Sequence, residues 1–328
     1  MPSPKVENIY PIEISPPDIS PYKNGNVGID YITCFDSNIP GPHVMISAVV
    51  HGNELCGAIA LDWLFQNNVQ PVRGKLSLGF MNVEAFHSFD PQSPTESRFI
   101  DEDFNRLWLP AVLDSQRSSL ELERARKVRP WIDTVDLLLD IHSMQNLTPP
   151  LMMAGPLPKG RELASTVSIP ELVVSDAGHA AGRRMRDYKD FTDPESSRNA
   201  LLVECGQHWE KAAAPRAIET ALRFLQVTGT ITPESGQNFI ADRPNPLPQR
   251  FIEVTDAVTI QTSSFQFVEN YIGMEVIPKA GSVLARDGDK EIQTPYDDCI
   301  LIMPSRRLNP GATAVRLGRF QDSPKLSV

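Results

Sequence analysis

The amino-acid sequence predicts an α/β fold with a largely parallel sheet, followed by a small all-β domain. As far as about residue 230, short apolar runs alternate with helix-like segments, and this alternation is typical of βαβ units. The runs are continuously apolar, as in strands that are covered on both faces. Beyond residue 240, brief β-like runs punctuated by Gly and Pro replace the helices, which indicates a separate all-β unit.

The predicted domain boundaries follow from the distribution of proline. Residues 1–25 are rich in proline, which disfavours a regular helix, so they are predicted to form an extended arm. This arm has no apolar core and therefore does not resemble a secretory signal peptide. A second proline-rich stretch at 241–250, ADRPNPLPQR, is interpreted as a linker. The predicted domains are an α/β domain at 26–238 and a β-rich domain at 239–328.

Within the α/β domain the sequence predicts five strands and three helices. The strands are predicted at 43–50, 75–82, 136–142, 171–175 and 200–204. Helices are predicted at 54–65, 119–128 and 212–225, where apolar residues recur at helical spacing. Pro130 is predicted to open a further helix, because the first helical turn tolerates a missing N–H group.

Composition and charge narrow the classes of function. The chain has 328 residues and a formal net charge of -10, which disfavours binding to nucleic acid or to an anionic membrane surface. The sequence contains no apolar run of the ~18 residues that a membrane span needs. Its four cysteines form no CxxC pair, so neither a disulfide framework nor a zinc knuckle is indicated. We therefore expect a cytoplasmic protein that binds neither nucleic acid nor membranes. The composition is compatible with either a monomer or a homo-oligomer.

Two predicted strands are followed by residues that could bind a metal ion. His51 comes directly after the first predicted strand, and Glu54 follows three residues later, where a helix begins. His142 ends a second predicted strand. Two histidines and one glutamate, with a position left for water, are a ligand set of hydrolytic zinc. The sequence therefore predicts a zinc site at these three residues.

A further carboxylate, Glu204, is predicted at the carboxyl end of another strand. Ligands of open α/β sheets bind at that edge, so separate segments converge there. Taken singly, each residue has a structural interpretation, since HxxE pairs occur often by chance. Asp140 has two interpretations, as a group that orients His142 or as half of a salt bridge. The remaining histidines lack comparable partners and are interpreted as structural: His43, His87, His179 and His208.

The segment SRFIDEDFNRLW at 97–108 mixes charged and apolar residues. A run of charges is usually a solvated face, but the interleaved aromatic and aliphatic side chains require that part of the segment is buried. Arginines buried in an acidic protein favour anions, and their forked donors match carboxylates. We therefore expect Arg98, Asn105 and Arg106 to lie near a small anionic substrate.

These motifs resemble those of the succinylglutamate desuccinylase/aspartoacylase family, within the wider zinc-carboxypeptidase group. HGNE (51–54), RFIDEDFNR (98–106), DIHS (140–143) and ECG (204–206) occur in that family's order and with similar spacing. The resemblance covers roughly residues 40 to 230, and the trailing β domain also fits. It implies a zinc-carboxypeptidase-like α/β domain with a mostly parallel mixed sheet, and a C-terminal β domain that caps the site.

The resemblance also implies an activity. One Zn²⁺ per chain would be bound by His51, Glu54 and His142, and Glu204 would be the general base. Arg98 would polarise the scissile carbonyl. The reaction would be hydrolysis of a linear amide bond in a small, carboxylate-bearing N-acyl amino acid or a related compound. Two alternatives are a zinc carboxypeptidase acting on short peptides and a metal-binding protein without catalysis.

For the substrate, the resemblance implies that Asn105 and Arg106 hold a carboxylate. Tyr296, in TPYDD, matches a substrate-contacting tyrosine, and it reads equally well as a turn or core aromatic. The sequence departs from the best-known members at SMQN (143–146) and GQHW (206–209). Both stretches are expected beside the metal, so the acyl group of the relatives does not carry over to this chain.

Overall fold

The strands of the computed structural model, which describes residues 9–178 and 181–321, run the length of the chain. They are β1 Ile32–Asp36, β2 His43–Ala48, β3 Lys75–Phe80, β4 Leu137–Met144, β5 Leu151–Met153, β6 Leu172–Ser175, β7 Asn199–Gln207, β8 Arg250–Thr259, β9 Gln266–Phe267, β10 Val276–Ile277, β11 Val283–Asp287, β12 Lys290–Gln293, β13 Cys299–Ile302 and β14 Thr313–Gln321.

The helices of the described residues all lie in the first three quarters of the chain. They are α1 Leu55–Gln66, α2 Val83–His87, α3 Pro110–Leu113, α4 Leu120–Ile132, α5 Pro158–Val167, α6 Ala213–Val227 and α7 Gln237–Ala241. Short 3-10 helices occur at Ser20–Tyr22, Glu96–Arg98, Phe104–Arg106, Met185–Asp187 and Lys189–Thr192. No helix in the described part of the chain is both long and apolar enough to cross a bilayer.

Eleven of the described strands form one mixed sheet in the order β1-β3-β2-β4-β7-β5-β6-β8-β14-β13-β10. Its central strands β3, β2, β4 and β7 are parallel neighbours, whereas β1 and β5 pair antiparallel with β3 and β7. Strands β12, β11 and β9 form a second, smaller sheet. The predicted α/β fold with a mostly parallel mixed sheet and a β-rich C-terminal region is confirmed.

Both faces of the central sheet are covered. Along β2, Val44 and Ile46 belong to the core cluster that contains α1 and α6, while Met45 belongs to the cluster that contains α4. All residues of β2 and β7 are buried, as the apolar runs within them predict. Pro130 lies inside α4 and does not open a new helix, so that prediction was wrong. Because proline has no backbone N–H, α4 lacks one helical hydrogen bond at this position, close to its C-terminal end.

The C-terminal strands extend the same sheet. Strand β8 begins at Arg250, where the predicted linker ends, and pairs parallel with β6. Strands β14, β13 and β10 then continue antiparallel. In the predicted N-terminal arm, residues 9–19 form no helix or strand. Residues 1–8 and 322–328 of the predicted domains, and His179, lie outside the described residues, and the domain boundaries stay predictions.

Candidate active site

His51, Glu54 and His142 lie together beyond the carboxyl ends of the central strands, and we call them the metal-ligand cluster. One candidate ligand atom from each lies within 4.8 Å of the others. The Nδ1 atom of His51 is 2.7 Å from Glu54 Oε1, and the Nδ1 atom of His142 is 2.8 Å from Glu54 Oε2. All three residues are buried. The structure therefore brings the three predicted ligands together, with their donor atoms converging.

The local backbone explains how Glu54 reaches both histidines. It is the N-cap residue of α1, with φ −97° and ψ 75°, and its side chain makes no capping hydrogen bond. The Glu54 carboxylate is therefore available to contact His51 and His142. Gly52, beside it, packs so closely that a Cβ there would lie 2.2 Å from the backbone of Ala85. Its N–H donates to the carbonyl oxygen of Arg98 at 3.1 Å, which brings the arginine segment against the cluster.

Each histidine of the cluster has a second carboxylate behind it. His142 Nε2 lies 2.8 Å from Asp140 Oδ2, and the hydroxyl of Ser47 donates to Asp140 Oδ1 at 2.6 Å. His51 Nε2 lies 3.0 Å from Asp103 Oδ1. Burial lowers the pKa of His142, but Asp140 and Glu54 outweigh it and raise that pKa well above its usual range. Carboxylates in this position orient metal-ligating histidines, so the geometry favours the orienting interpretation of Asp140.

Glu204 adds a fourth buried side chain. It lies on β7 directly opposite His142 on β4, and its Oε2 atom has no hydrogen-bond partner among the described residues. Burial raises the pKa of this carboxyl group to about 8, with Arg98 among the groups that oppose the shift. Next along β7, Gly206 has φ +109°, a left-handed conformation that glycine adopts without strain. A buried oxygen without a partner is costly unless a water or ligand contacts it.

The donor set of the cluster fits a zinc ion. Zinc in catalytic sites takes three nitrogen or oxygen ligands and leaves a fourth position open. Here two imidazole nitrogens and a carboxylate converge, both outer imidazole nitrogens face acids, and an unpartnered carboxylate oxygen of Glu204 lies nearby. Soft thiolate ligands are absent from this group, which also suits zinc bound by nitrogen and oxygen.

These residues line a cavity of about 610 Å³, a volume typical of small-molecule sites. Part of its wall comes from the C-terminal region, through Arg307 and Arg316. The N-terminal part of the chain contributes the 3-10 segments around Arg98 and Asn105. The wall of the cavity is thus built from both the N-terminal and the C-terminal parts of the described chain.

The three predicted anion-binding residues all line this cavity. Arg98 Nη2 lies 2.8 Å from His51 Nε2 and donates to Asp103 at 3.1 Å, so it lies beside the cluster. Arg106 donates to the carbonyl oxygen of Asn105 at 2.8 Å, and the carboxylate of Asp103 is 3.9 Å away. Burial lowers the pKa of Arg106 to about 10. The side-chain oxygen of Asn105 accepts from the N–H of Met185 at 2.9 Å, which leaves its amide nitrogen as the group able to donate.

Tyr296 is the one predicted site residue that is not brought to the cavity. Its hydroxyl lies 2.6 Å from the Thr255 hydroxyl, and its ring packs in a C-terminal core cluster with Leu301 and Leu317. The guanidinium of Arg319 lies 5.6 Å from the centre of that ring. Tyr296 is absent from the residues that line the cavity, so its predicted substrate contact has no geometric support.

A second group of buried charges lies in the cavity wall, and we call it the ion network. Arg184 donates to Asp176 and, through Nε at 2.5 Å, to Asp187. Arg316 on β14 lies 2.9 Å from the same Asp176 carboxylate. Burial would raise the pKa of Asp176, but Arg184 and Arg316 hold it well below its usual range. The network ties β14 to the segment that follows β6.

Sequence reasoning missed His208, which it interpreted as structural. The residue lines the cavity and is buried, and its Nδ1 atom lies 2.9 Å from the hydroxyl of Ser143. Both residues belong to the SMQN and GQHW stretches that were expected beside the metal, so that signal was present. His43 does have the expected structural contacts, with Ser77 and Thr134. Arg316 carried a weaker signal, as an arginine within the apolar run of a buried strand.

Comparison with known proteins places this geometry in a family. A family model described as the succinylglutamate desuccinylase/aspartoacylase catalytic domain matches residues 40–227, which is more than half of the chain. The match contains every residue of the metal-ligand cluster and Glu204. No curated protein gives a significant match.

Solved structures show that the fold is shared over nearly the whole chain. Succinylglutamate desuccinylase from Vibrio cholerae is 17% identical, with 87% of this chain and 85% of that chain covered and a TM-score of 0.66. The Chromobacterium violaceum desuccinylase is 15% identical, with 90% of each chain covered and a TM-score of 0.62. The ectoine utilization protein EutE (DoeB) from Ruegeria pomeroyi, solved with product bound, is 16% identical, with 88% of each chain covered and a TM-score of 0.58.

The order of the motifs, the convergence of their side chains and the family match all agree. This chain belongs to the succinylglutamate desuccinylase/aspartoacylase family of amide-hydrolysing deacylases.

Proposed function

We propose that this protein is a zinc-dependent amidohydrolase that cleaves the amide bond of a small, carboxylate-bearing N-acyl amino acid or a related compound. The observation that carries the proposal is the metal-ligand cluster with, beside it, a carboxylate oxygen that has no partner among the described residues. His51, Glu54 and His142 would hold one zinc ion per chain. Glu204 lies next to them with one oxygen free of hydrogen bonds from the described residues.

When bound there, zinc would lower the pKa of a water molecule and polarise the substrate carbonyl. Glu204 accepts the proton of the attacking water and passes it to the nitrogen of the departing amine. Burial raises the pKa of its carboxyl group, which helps Glu204 to hold the proton between the two transfers. Arg98, 2.8 Å from His51, donates to the oxyanion that develops on the carbonyl. The products are a carboxylate and a free amine.

Arg106 is proposed to bind the carboxylate of the amino-acid part, assisted by the amide nitrogen of Asn105. Both residues line the cavity, and the nearest acid to Arg106, Asp103, is 3.9 Å away. Because this acid is distant, the guanidinium of Arg106 can bind a substrate carboxylate by donating two parallel hydrogen bonds. The mutual repulsion of Arg106 with Arg98 and Arg184, which helps to lower its pKa, would also be relieved by an anion.

The carboxypeptidase alternative requires that a long peptide can enter. The C-terminal region contributes Arg307 and Arg316 to the cavity wall, and this contribution supports a small-molecule substrate. The non-catalytic alternative gives no role to Glu204, whose burial without a partner is costly. We also propose, from the net charge of -10, that neither nucleic acid nor a membrane is a partner.

The first experiment combines metal analysis with a substrate screen. Purified protein is expected to contain about one zinc per chain and to hydrolyse at least one member of a panel of N-acyl amino acids, with products identified by mass spectrometry. Peptides of ten or more residues should be poor substrates. His142→Ala should lose both zinc and turnover. Full zinc occupancy in that variant would show that the ligand assignment is wrong, and efficient trimming of the peptides would favour the carboxypeptidase.

The carboxylate clamp is tested with Arg106→Lys, which keeps the charge but not the forked geometry. Wild-type protein should strongly prefer an N-acyl amino acid over its carboxamide, and the variant should lose much of that preference. A charge-assisted pair is worth ~1.5–3 kcal/mol, so kcat/KM for the acid should fall roughly ten- to a hundredfold. Zinc content should not change. Equal rates for acid and carboxamide in the wild type would mean that Arg106 does not bind a substrate carboxylate.

A further inference from the structure

His208 is held rigidly in the cavity wall, although the mechanism above does not use it. It follows β7 directly, and its backbone N–H donates to the carbonyl oxygen of Met144 at 2.9 Å. Only 1% of the residue is exposed, yet it lines the cavity. Of its two ring nitrogens, Nδ1 contacts Ser143, and Nε2 has no hydrogen-bond partner among the described residues.

The contact with Ser143 determines which nitrogen carries the proton. Ser143 Oγ lies 2.9 Å from His208 Nδ1, and the backbone N–H of Ser143 donates to Glu54 Oε2 at 3.2 Å. If the hydroxyl donates to Nδ1, its own proton is satisfied and the ring proton resides on Nε2. The opposite tautomer would leave the hydroxyl proton without a described acceptor, at a cost that buried polar groups normally avoid. The Nε2–H group is therefore the donor that remains available.

His208 acts as a neutral donor. Its burial lowers its pKa to about 3, and Arg98, His51 and Arg307 add to this lowering while Glu54 opposes it. A neutral imidazole contributes a directed hydrogen bond and no charge. Such a group discriminates between substrates by the presence or absence of an oxygen atom at one position, because an unpaired buried donor disfavours the analogue that lacks the oxygen.

The position of His208 identifies the part of the substrate that it faces. A small adjoining void of about 10 Å³ shares His208, Arg98 and Arg307 with the main cavity but is not lined by Arg106. The cations that act on Arg106 are instead Arg98, Arg184 and Arg316. Arg98 therefore lines both voids and also acts on Arg106. If Arg106 holds the amino-acid carboxylate, the acyl group extends toward His208.

Arg307 lines the small void together with His208, and it makes this part of the cavity favourable to oxygen atoms. The guanidinium of Arg307 donates to the carbonyl oxygen of Thr95 at 2.6 Å and lies 5.7 Å from the ring centre of Phe99. Burial lowers the pKa of Arg307 to about 10, and the repulsion of Arg98 adds to this effect. An oxygen atom of the substrate placed here would meet a neutral donor and a nearby positive charge.

We propose that His208 is a specificity-determining residue whose Nε2–H donates a hydrogen bond to an oxygen atom of the acyl group, with Ser143 as the residue that positions its ring. The inference rests on the proposed function, since it assumes an N-acyl amino acid with its carboxylate at Arg106. It selects acyl groups that carry an oxygen beyond the scissile carbonyl over plain alkanoyl groups of the same length.

The test uses zinc-loaded, full-length protein and pairs of N-acyl derivatives of one amino acid. Within each pair the acyl chains have equal length and end in an oxygen-bearing group, either hydroxyl or carboxylate, or in a methyl group. Wild type should favour the oxygen-bearing member. His208→Leu should lower its kcat/KM about tenfold, mainly through KM, and leave the methyl-ended member within about twofold. His208→Gln, which keeps an N–H donor, should recover part of the preference, and Ser143→Ala should lose part of it.

Two readouts separate specificity from structure. Zinc content should be unchanged in all three variants, and calorimetry should show weaker binding of the oxygen-bearing acid product to His208→Leu. An equal loss for both members of a pair, or a preference that survives in His208→Leu, would overturn the inference while leaving the proposed function intact. If the wild type hydrolyses no N-acyl amino acid, the proposed function fails and this inference fails with it.

Discussion

Two buried groups of charged side chains border the same cavity, and they use similar residues in opposite ways. In the ion network, each carboxylate faces a guanidinium, so the charges are paired within the protein. In the metal-ligand cluster, donor atoms of three residues converge, and Glu204 beside them keeps an unpartnered oxygen. Burial of charge alone therefore does not mark a functional site. The candidate site differs because its donor atoms converge and because one buried oxygen of Glu204 has no hydrogen-bond partner among the described residues.

The two groups should differ most in their response to substitution at Glu204, if that residue is catalytic. Glu204→Gln replaces a proton acceptor with an amide of the same shape, so turnover should fall by ~10²–10⁴-fold. Zinc content and thermal stability should stay near wild type, because Glu204 is not a proposed ligand and forms no ion pair with the described residues. The measurements are kcat on the best substrate and metal analysis of the same sample. Near-normal turnover with bound zinc would remove the assigned role.

The ion network should respond in the opposite way. Asp176→Asn leaves Arg184 and Arg316 without their shared carboxylate, and breaking a buried pair in this way costs roughly 3–5 kcal/mol. Urea unfolding should show this loss in the free energy of unfolding, while the folded variant should still bind zinc. A variant as stable as the wild type would mean that the network does not hold the cavity wall together.

The same network gives a direction for acid sensitivity. Because the pKa of Asp176 is lowered in the folded protein, its contribution to stability is present at neutral pH and above the ordinary Asp pKa of about 3.9. This contribution is lost as the pH falls through the lowered value. The stability difference between wild type and Asp176→Asn should therefore shrink in strong acid.

A smaller effect is expected at Asp140, a buried and fully paired carboxylate that contacts a proposed metal ligand. Its carboxylate is paired by the Ser47 hydroxyl and by His142, so it is structural in its contacts and yet supports a ligand. Asp140→Asn should weaken zinc affinity by ~10–100-fold, measured by competition with a chelator, with only modest loss of stability. An unchanged zinc affinity would mean that Asp140 has a structural role only and does not support the metal site.

The sequence predicted those parts of the molecule that depend on local pattern. The strands β2, β3, β4 and β7 are apolar runs, and the residues that end or follow β2, β4 and β7 were predicted to converge. The short strand β5, Leu151–Met153, has too few residues for a periodic signal. The parallel pairing of β6 with β8 is a long-range register that no local pattern encodes.

The same distinction separates the site residues. His51, Glu54 and His142 form a motif that is readable along the chain, whereas His208 and Arg316 gain their meaning only from neighbours that are distant in sequence. His208 is defined by Ser143, 65 positions away, and Arg316 by Asp176 on another strand connection. Tyr296 shows the converse case, because a local motif match did not bring it to the cavity.

The pairing of β6 with β8 also has a consequence for the synthesis of this protein. Leu172 to Ser175 face Arg250 to Glu253 in register, so the edge of β6 has no partner until the ribosome has produced the chain well beyond residue 250. An unpaired edge strand is a template for association with other chains, and partly made proteins are most exposed to this hazard. During translation, one edge of β6 therefore stays unpaired until β8 has been made. A nascent chain stalled before β8 would be the form most in need of a chaperone.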